Sequence, residues 1–303
     1  MHTILVVGLV LVASAAAGTV PKAQPNSLGY HDAVGIPEAA RIKAMEEEYF
    51  STLSNAETGN IDPHIVGGAV AGTNAHPHLG GLVINFVNIA GQSVCGSSLL
   101  TANRLVTAAH CWNDGRNQAS QFEVVLGSQW LFFGGTRIVT NQVIMHASWN
   151  SATLANDVAM IYLPTNVAFS AAIQPVALPS TTQLWNTFVG EWGVAAGYGK
   201  TSDLQTGVGT STVVSQVSLQ VISVAQCQAT FGFWAQASNI CTNGAGGIGI
   251  CGGDSGGPLT VFSNGQNVLV GISSFVAQAG CQLGHPSAFA RVTSFYSFIV
   301  GHL

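Results

Sequence analysis

Gly253-Asp254-Ser255-Gly256-Gly257-Pro258 is the stretch on which the reading of this chain turns. A serine set among glycines has little steric cover, so its hydroxyl can approach a carbonyl carbon. The same glycines let backbone N–H groups converge on one point. Such a serine becomes a nucleophile only when a base can take its proton. His285 and His302 follow it, but no Asp or Glu does, so a complete set of partners must lie upstream. Thr107-Ala108-Ala109-His110-Cys111 places a histidine on a small-residue segment. Asn156-Asp157-Val158-Ala159-Met160 places a lone carboxylate before an apolar run.

The hexapeptide also fits G-x-S-x-G, the nucleophile elbow of the α/β hydrolases. Chain order separates the two readings. The elbow enzymes run Ser, acid, His, whereas this chain runs His110, Asp157, Ser255. The strand–helix alternation that an elbow requires is also missing.

Outward from these segments the chain changes character twice. Residues 1–17 read as a signal peptide: an apolar run from Ile4 to Ala13 precedes Ala15-Ala16-Ala17. The run is too short to span a bilayer, so no membrane anchor is expected. Residues 18–64 are polar and acidic, with Lys22, Arg41 and Lys43 against seven acids. Within them Pro37–Leu53 reads as a helix, with Ile42, Met45, Tyr49 and Leu53 spaced by three and four. That helix is either solvated or laid on a folded body. From Ile65 onward, short runs rich in Val, Ile, Leu and Phe recur between Gly, Asn and Ser clusters: Leu82–Val87, Phe122–Leu126, Arg137–Val143, Val158–Leu163, Val213–Val221 and Asn267–Ile272. This is all-β spacing. Only Thr293–Leu303 reads as helix there. Gln174–Pro179 is bounded by prolines and is the best candidate linker between two halves.

Of the 303 residues 48% are hydrophobic and 7% charged, enough apolar surface for a globular core. After residue 64 only Arg104, Arg116, Arg137, Lys200 and Arg291 are basic, so no stripe exists for a nucleic-acid backbone. Six cysteines behind a leader argue for three disulfides in an oxidising compartment, with the pairing left open. His76 and His78 read as an exposed pair rather than a metal site. Trp130–Phe133 reads as strand core. Glu123–Thr140 lacks the carboxylates of a calcium loop, so no metal or cofactor is expected.

Ile65-Val66-Gly67-Gly68 adds a fourth motif in order with the other three. With all four in sequence, residues 65–303 resemble the chymotrypsin-type serine peptidase family. Phe275–Val292 most resembles its arthropod digestive members. The resemblance implies an all-β fold of two six-stranded antiparallel barrels with a C-terminal helix: a first barrel over 65–180 and a second over 181–303. It implies Ser255 as nucleophile, His110 as base, Asp157 as orienting carboxylate, and the N–H groups of Gly253 and Ser255 as oxyanion hole. Ser274, Phe275 and Val276 would pair with the substrate backbone, and Ser274 would also support Asp157. The implied bridges are Cys95–Cys111, Cys227–Cys241 and Cys251–Cys281. Residues 18–64 would be a pro-segment. Cutting before Ile65 would free an ammonium to pair with Asp254.

The chain departs from the family at that cut, because His64 follows Pro63 where a basic residue would serve a trypsin-like activator. A different activating peptidase is implied. Residues 18–64 hold no cysteine, so the segment would depart after cleavage. The specificity pocket implied is Gly249 at the base with Val276 and Ser287 as walls. No carboxylate stands there, so a cationic side chain would be buried without a partner. Small apolar residues, as in elastases, or large ones, as in chymotrypsins, are the expected preference. The partners expected are protein or peptide substrates and protein inhibitors, with the chain secreted, monomeric and acting in an alkaline gut lumen. The alternative is an inactive homologue that serves as a binding or cofactor protein.

Overall fold

The computed structural model describes residues 22–53, 69–203 and 213–303. The expected leader, the cut before Ile65 and the whole Ile65–Gly68 motif lie outside the described residues.

Among the described residues fourteen strands form two antiparallel sheets. The first contains β2 (Leu79–Phe86), β3 (Ser93–Thr101), β4 (Arg104–Thr107), β5 (Ala119–Leu126), β6 (Thr136–Thr140), β7 (Val143–Met145) and β8 (Ala159–Tyr162). The second contains β1 (Ala69–Val70), β9 (Trp192–Gly197), β10 (Ser215–Ile222), β11 (Asn239–Thr242), β12 (Pro258–Ser263), β13 (Gln266–Phe275) and β14 (Ser287–Arg291). In the second sheet β9 pairs with both β12 and β10, which closes six strands into a barrel; β1 is added at β10.

The first sheet runs β6-β5-β2-β3-β4-β8-β7. Its strand count exceeds the expected six because the run Arg137–Val143 breaks at Asn141-Gln142. The half before the break pairs with β5 and the half after it with β8, at opposite edges of the sheet. Chain continuity across two residues therefore curls the sheet on itself. The Thr140 hydroxyl donates to the Tyr162 carbonyl at 2.7 Å and the Tyr162 N–H to the Gln142 carbonyl at 2.9 Å, which ties the edges at that corner.

Each sheet wraps its own core. Leu82, Leu99, Leu105, Phe122 and Met160 fill the first; Leu219, Ile240, Leu259, Val270 and Phe289 fill the second. The Pro-bounded stretch between them is packed on both. Val176 donates its N–H to Leu99 of the first sheet, and Ala177 accepts from Leu269 of the second.

Among the described residues three α-helices complete the fold: α1 (Ile36–Leu53), α2 (Val224–Phe231) and α3 (Tyr296–Val300). Among the described residues no helix is long and apolar enough to cross a membrane. The question left open for α1 is answered by burial. Ala39, Ile42 and Met45 are buried, with Ile42 fully so, and Ala39 and Ile42 pack with Val83, Val94 and Val125 of the first sheet. The helix is laid on the body.

Three further sequence expectations need correction. Val224–Phe231 is a helix within the body, where Thr293–Leu303 is the only one expected. Trp130–Phe133 is a loop between β5 and β6, not strand core; Trp130 stacks on Tyr49 of α1 at 4.6 Å. His78 is buried, not exposed, and burial pushes its imidazole down to about 3.

Candidate active site

The register of β4 against β8 assembles the first two residues. Thr107 lies opposite Ala159. His110 comes three residues after the one and Asp157 two residues before the other, so both leave the same end of an antiparallel pair. His110 sits in a short 3-10 turn, Ala109–Cys111. Its backbone N–H donates to Asp157 Oδ1 at 2.9 Å, and its Nδ1 lies 2.8 Å from Asp157 Oδ2. With a carboxylate facing Nδ1, that nitrogen carries the proton and Nε2 keeps its lone pair. The Ser274 hydroxyl, near the end of β13, donates to the same Oδ2 at 2.6 Å. His110, Asp157 and Ser274 are all buried.

Ser255 comes from the other sheet, on the turn that leads into β12. That turn is wedged between the sheets. Gly96 of β3 donates to the Ser255 carbonyl at 2.6 Å, and Gly256 donates to the Ser273 carbonyl at 2.7 Å. Gly253 has φ +98, and a Cβ there would come within 2.9 Å of the Gly199 Cα, so only glycine fits. The Cys95–Cys111 disulfide ties β3 to the His110 turn, and its Cys111 sulfur lies 3.8 Å from the Ser255 carbonyl oxygen. Cys251–Cys281 and Cys227–Cys241 are the other two bridges.

Asp254 is buried beside the serine. Its carboxylate accepts from the Gly199 and Cys251 N–H groups, each at 2.9 Å. Burial pushes its carboxyl up to about 7, against those two donors. Among the described residues no cation forms an ion pair with it. Whether Ile65 reaches it falls outside the described residues.

The three pocket residues fall close together. A Cβ on Gly249 would come within 2.7 Å of the Ser287 hydroxyl, which also accepts from the Ile250 N–H at 3.3 Å. Val276 is buried and packs in the same core as Ile250. Phe275 meets Phe231 edge-on at 5.1 Å, with Leu28 against the same cluster.

The sequence reading missed what lies in this cleft. Residues 24–27 run antiparallel to 274–278. Asn26 N–H donates to Val276 O at 3.0 Å, Val276 N–H to Asn26 Oδ1 at 3.2 Å, and Gln278 N–H to Gln24 O at 2.7 Å. Pro25 bridges Ala277, and the Ser27 hydroxyl donates to the Ser274 carbonyl. After Gly29, at φ +66, the chain turns and buries Tyr30 completely. Its ring meets the His110 ring edge-on at 4.7 Å, and its hydroxyl donates to the Val94 carbonyl at 2.8 Å. Burial raises the pKa of this phenol, and the nearby Ser255 side chain and Gly253 backbone partly offset it. His110 and Ser255 therefore border one side chain. His31 follows, its N–H donating to Asp114 Oδ2 at 2.8 Å and its Nδ1 2.9 Å from the Ser93 hydroxyl. Nothing in the spacing of residues 22–31 signals this path.

Comparison with known proteins agrees with this geometry. The trypsin family model matches residues 65–299. Brachyurin of Leptuca pugilator is 40% identical over 78% of this chain and 96% of its own length. The collagenase of Hypoderma lineatum is 35% identical over 78% of this chain and 85% of its own. A solved collagenase structure superimposes with a TM-score of 0.70 at 33% identity, covering 78% of this chain and 97% of that one. With a two-sheet body of chymotrypsin type and a family match across nearly all of it, the chain belongs to the trypsin family of serine endopeptidases.

Proposed function

We propose that this chain is a secreted digestive endopeptidase, made as an inactive precursor and cut before Ile65, that cleaves after apolar residues by way of an acyl-enzyme. The observation that carries the reading is the buried set of His110, Asp157 and Ser274 at 2.8 and 2.6 Å, in the cleft that Ser255 borders. In this reading Ser255 Oγ attacks the scissile carbonyl while His110 Nε2 takes its proton. Asp157 holds the imidazole by Nδ1–H and stabilises the cation that forms. The Gly253 and Ser255 N–H groups receive the oxyanion, each worth about 10²–10³ in rate. The intermediate collapses as His110 returns the proton to the leaving amine. Water, deprotonated by His110, then frees the acid and restores the Ser255 hydroxyl.

Specificity follows from the pocket. Gly249, Val276 and Ser287 present no charge, so a buried Lys or Arg of the substrate would lack a partner. Val276 stands at the wall and favours small or medium apolar residues over large ones. The names of three relatives, a collagenase and two Drosophila serine proteases, fit an enzyme that acts on protein. Asp254, buried without a cation among the described residues, supports the scheme in which a freed Ile65 ammonium completes the oxyanion hole.

The test is to cut the precursor and treat it with a serine-directed organophosphate. Wild type should be labelled on Ser255 and should hydrolyse matched Ala, Leu and Phe peptide substrates; Ser255→Ala should do neither. An unlabelled, inactive wild-type chain would favour an inactive homologue instead. Amino-terminal sequencing of active protein should give Ile65, and any other start defeats the activation scheme.

A further inference from the structure

We propose that the segment 22–53 is a cleft-directed inhibitor of the peptidase, which plugs the catalytic centre with Tyr30 and still binds the mature enzyme in trans once the chain is cut. This rests on the peptidase reading of the same site.

The segment engages the cleft as a substrate would on one side only. Residues 24–27 pair with 274–278 by backbone hydrogen bonds, the way an extended peptide adds to a sheet edge. A substrate would continue extended and present a carbonyl carbon to Ser255 in near-attack geometry. This chain does not. It turns at Gly29, and a phenol ring rather than a peptide bond meets His110 and Ser255. Helical backbone begins at Tyr30 itself and continues to Gly35 and into α1, so no extended bond crosses the nucleophile. The phenol is near the Ser255 side chain and the Gly253 backbone, two of the groups an oxyanion would need. The segment therefore competes for the groups that catalysis uses without offering a bond to cut.

Anchors beyond the cleft make the contact a built interface. Glu38, buried, reaches Lys200 of the body at 2.9 Å and Arg41 of its own helix at 2.8 Å. The Glu46 carboxylate accepts the N–H groups of Leu131 and Phe132 at 2.7 and 2.8 Å. Before cutting, the tether keeps the plug at high effective concentration. Afterwards no disulfide retains it, because all six cysteines lie in the body, and inhibition becomes a matter of concentration.

The experiment replaces residues 59–64 of the full chain with the recognition sequence of a site-specific peptidase, cuts the folded precursor, and removes the freed segment. A synthetic 22–53 peptide is then added back. Competitive inhibition of peptide hydrolysis is expected, and activity of the unfractionated digest should rise on dilution. A Tyr30→Ala peptide should bind on the order of 100-fold more weakly, whereas Lys43→Ala, on the exposed face of α1, should bind as well as the parent. Calorimetry of the peptides on a mature Ser255→Ala body reads binding whether or not the enzyme hydrolyses anything. If organophosphate labelling fails while the peptide binds and Tyr30→Ala does not, the peptidase reading falls and the plug stands. Non-competitive inhibition, equal binding by Tyr30→Ala, no binding at all, or rapid cleavage of the peptide near Gly29 would overturn the proposal.

Discussion

At Asp254 burial and hydrogen bonding pull in opposite directions. Two backbone N–H groups favour the anion, yet burial wins and holds the carboxyl at about 7. An unfolded aspartic acid titrates near ~3.9. The folded value is raised, so the stability this group lends the precursor is complete below about pH 4 and is lost as pH rises through 7. An Asp254→Asn precursor keeps a neutral side chain throughout. Relative to wild type it should gain thermal stability from pH 5 to about 7 and then level off; a constant difference across pH 5 to 8 would contradict the assignment. The buried histidines, pushed to about 4 at His31 and about 3 at His78, titrate in both proteins and cancel in the comparison. The same variant should fail after cutting, with kcat/KM down at least ~100-fold, because the freed ammonium finds no carboxylate. Asp157→Asn should lower kcat by about 10⁴ with the fold intact, since the imidazole loses the partner that fixes its tautomer. Hydrolysis of a Leu or Phe peptide substrate reads both. Residues of this kind were legible because each stands in a local motif. Tyr30 was not: one tyrosine between glycine and histidine has no periodicity, and its role exists only through the fold of a body that begins some 40 residues later.

Helix α1 was legible because packing imposes period 3.6 on whichever side faces the body, and Ile42 and Met45 obey it. Its polar anchor was not, because Glu46 begins a run of three glutamates that reads as solvated charge. Glu47 and Glu48 are exposed while Glu46 is fully buried. Burial pushes its carboxyl up to about 7, against the Leu131 and Phe132 N–H groups and the Arg137 guanidinium; Tyr198 also faces it. Docking of the segment therefore draws on Glu46 fully below the free carboxyl value of ~4.3 and loses that contribution as pH rises through 7. Affinity of the 22–53 peptide should fall on the order of 100-fold between pH 5 and 9, apart from an acid limb from His31, whose lowered value penalises docking of the charged ring below about pH 6. A Glu46→Gln peptide should start weaker, having one acceptor fewer, and show no alkaline fall. An identical alkaline slope in both peptides would place the titration elsewhere. Helix α2 escaped sequence reading although Ser223 and Gln226 form a capping box, because its eight residues are too few to establish a period.

Across the whole molecule the two acidic-to-neutral compositions correspond to two physical roles. The body is almost free of cations, and those it has are mostly engaged. Arg291 is buried against the carbonyls of Asn239 and Thr187, Arg137 holds the Leu131 carbonyl and Glu123, and Arg104 lies over the Tyr162 ring at 4.0 Å. Lys200 is paired with Glu38 of the segment. Arg116 is the exposed arginine of the body, on a turn whose Arg116 and Asn117 N–H groups are tied to Asp114 Oδ1. The all-β class and two-part division were legible in strand spacing, but the closing of the second sheet and the curl of the first were not, since both depend on pairings between segments far apart in sequence. The same long-range closure keeps the chain from opening locally, and proteolysis needs local opening. In a limited digest with trypsin, the precursor should first be cut in its segment, at Lys43 and Lys22, which are exposed. The body should then resist, with its first nick at Arg116 and a faster one once the segment is gone, because Gly29 lies against the Arg116 guanidinium. Mass spectrometry of the fragments decides it. Early cleavage at Arg104, Arg137 or Arg291 would mean that the body opens more readily than its hydrogen-bonded cations imply.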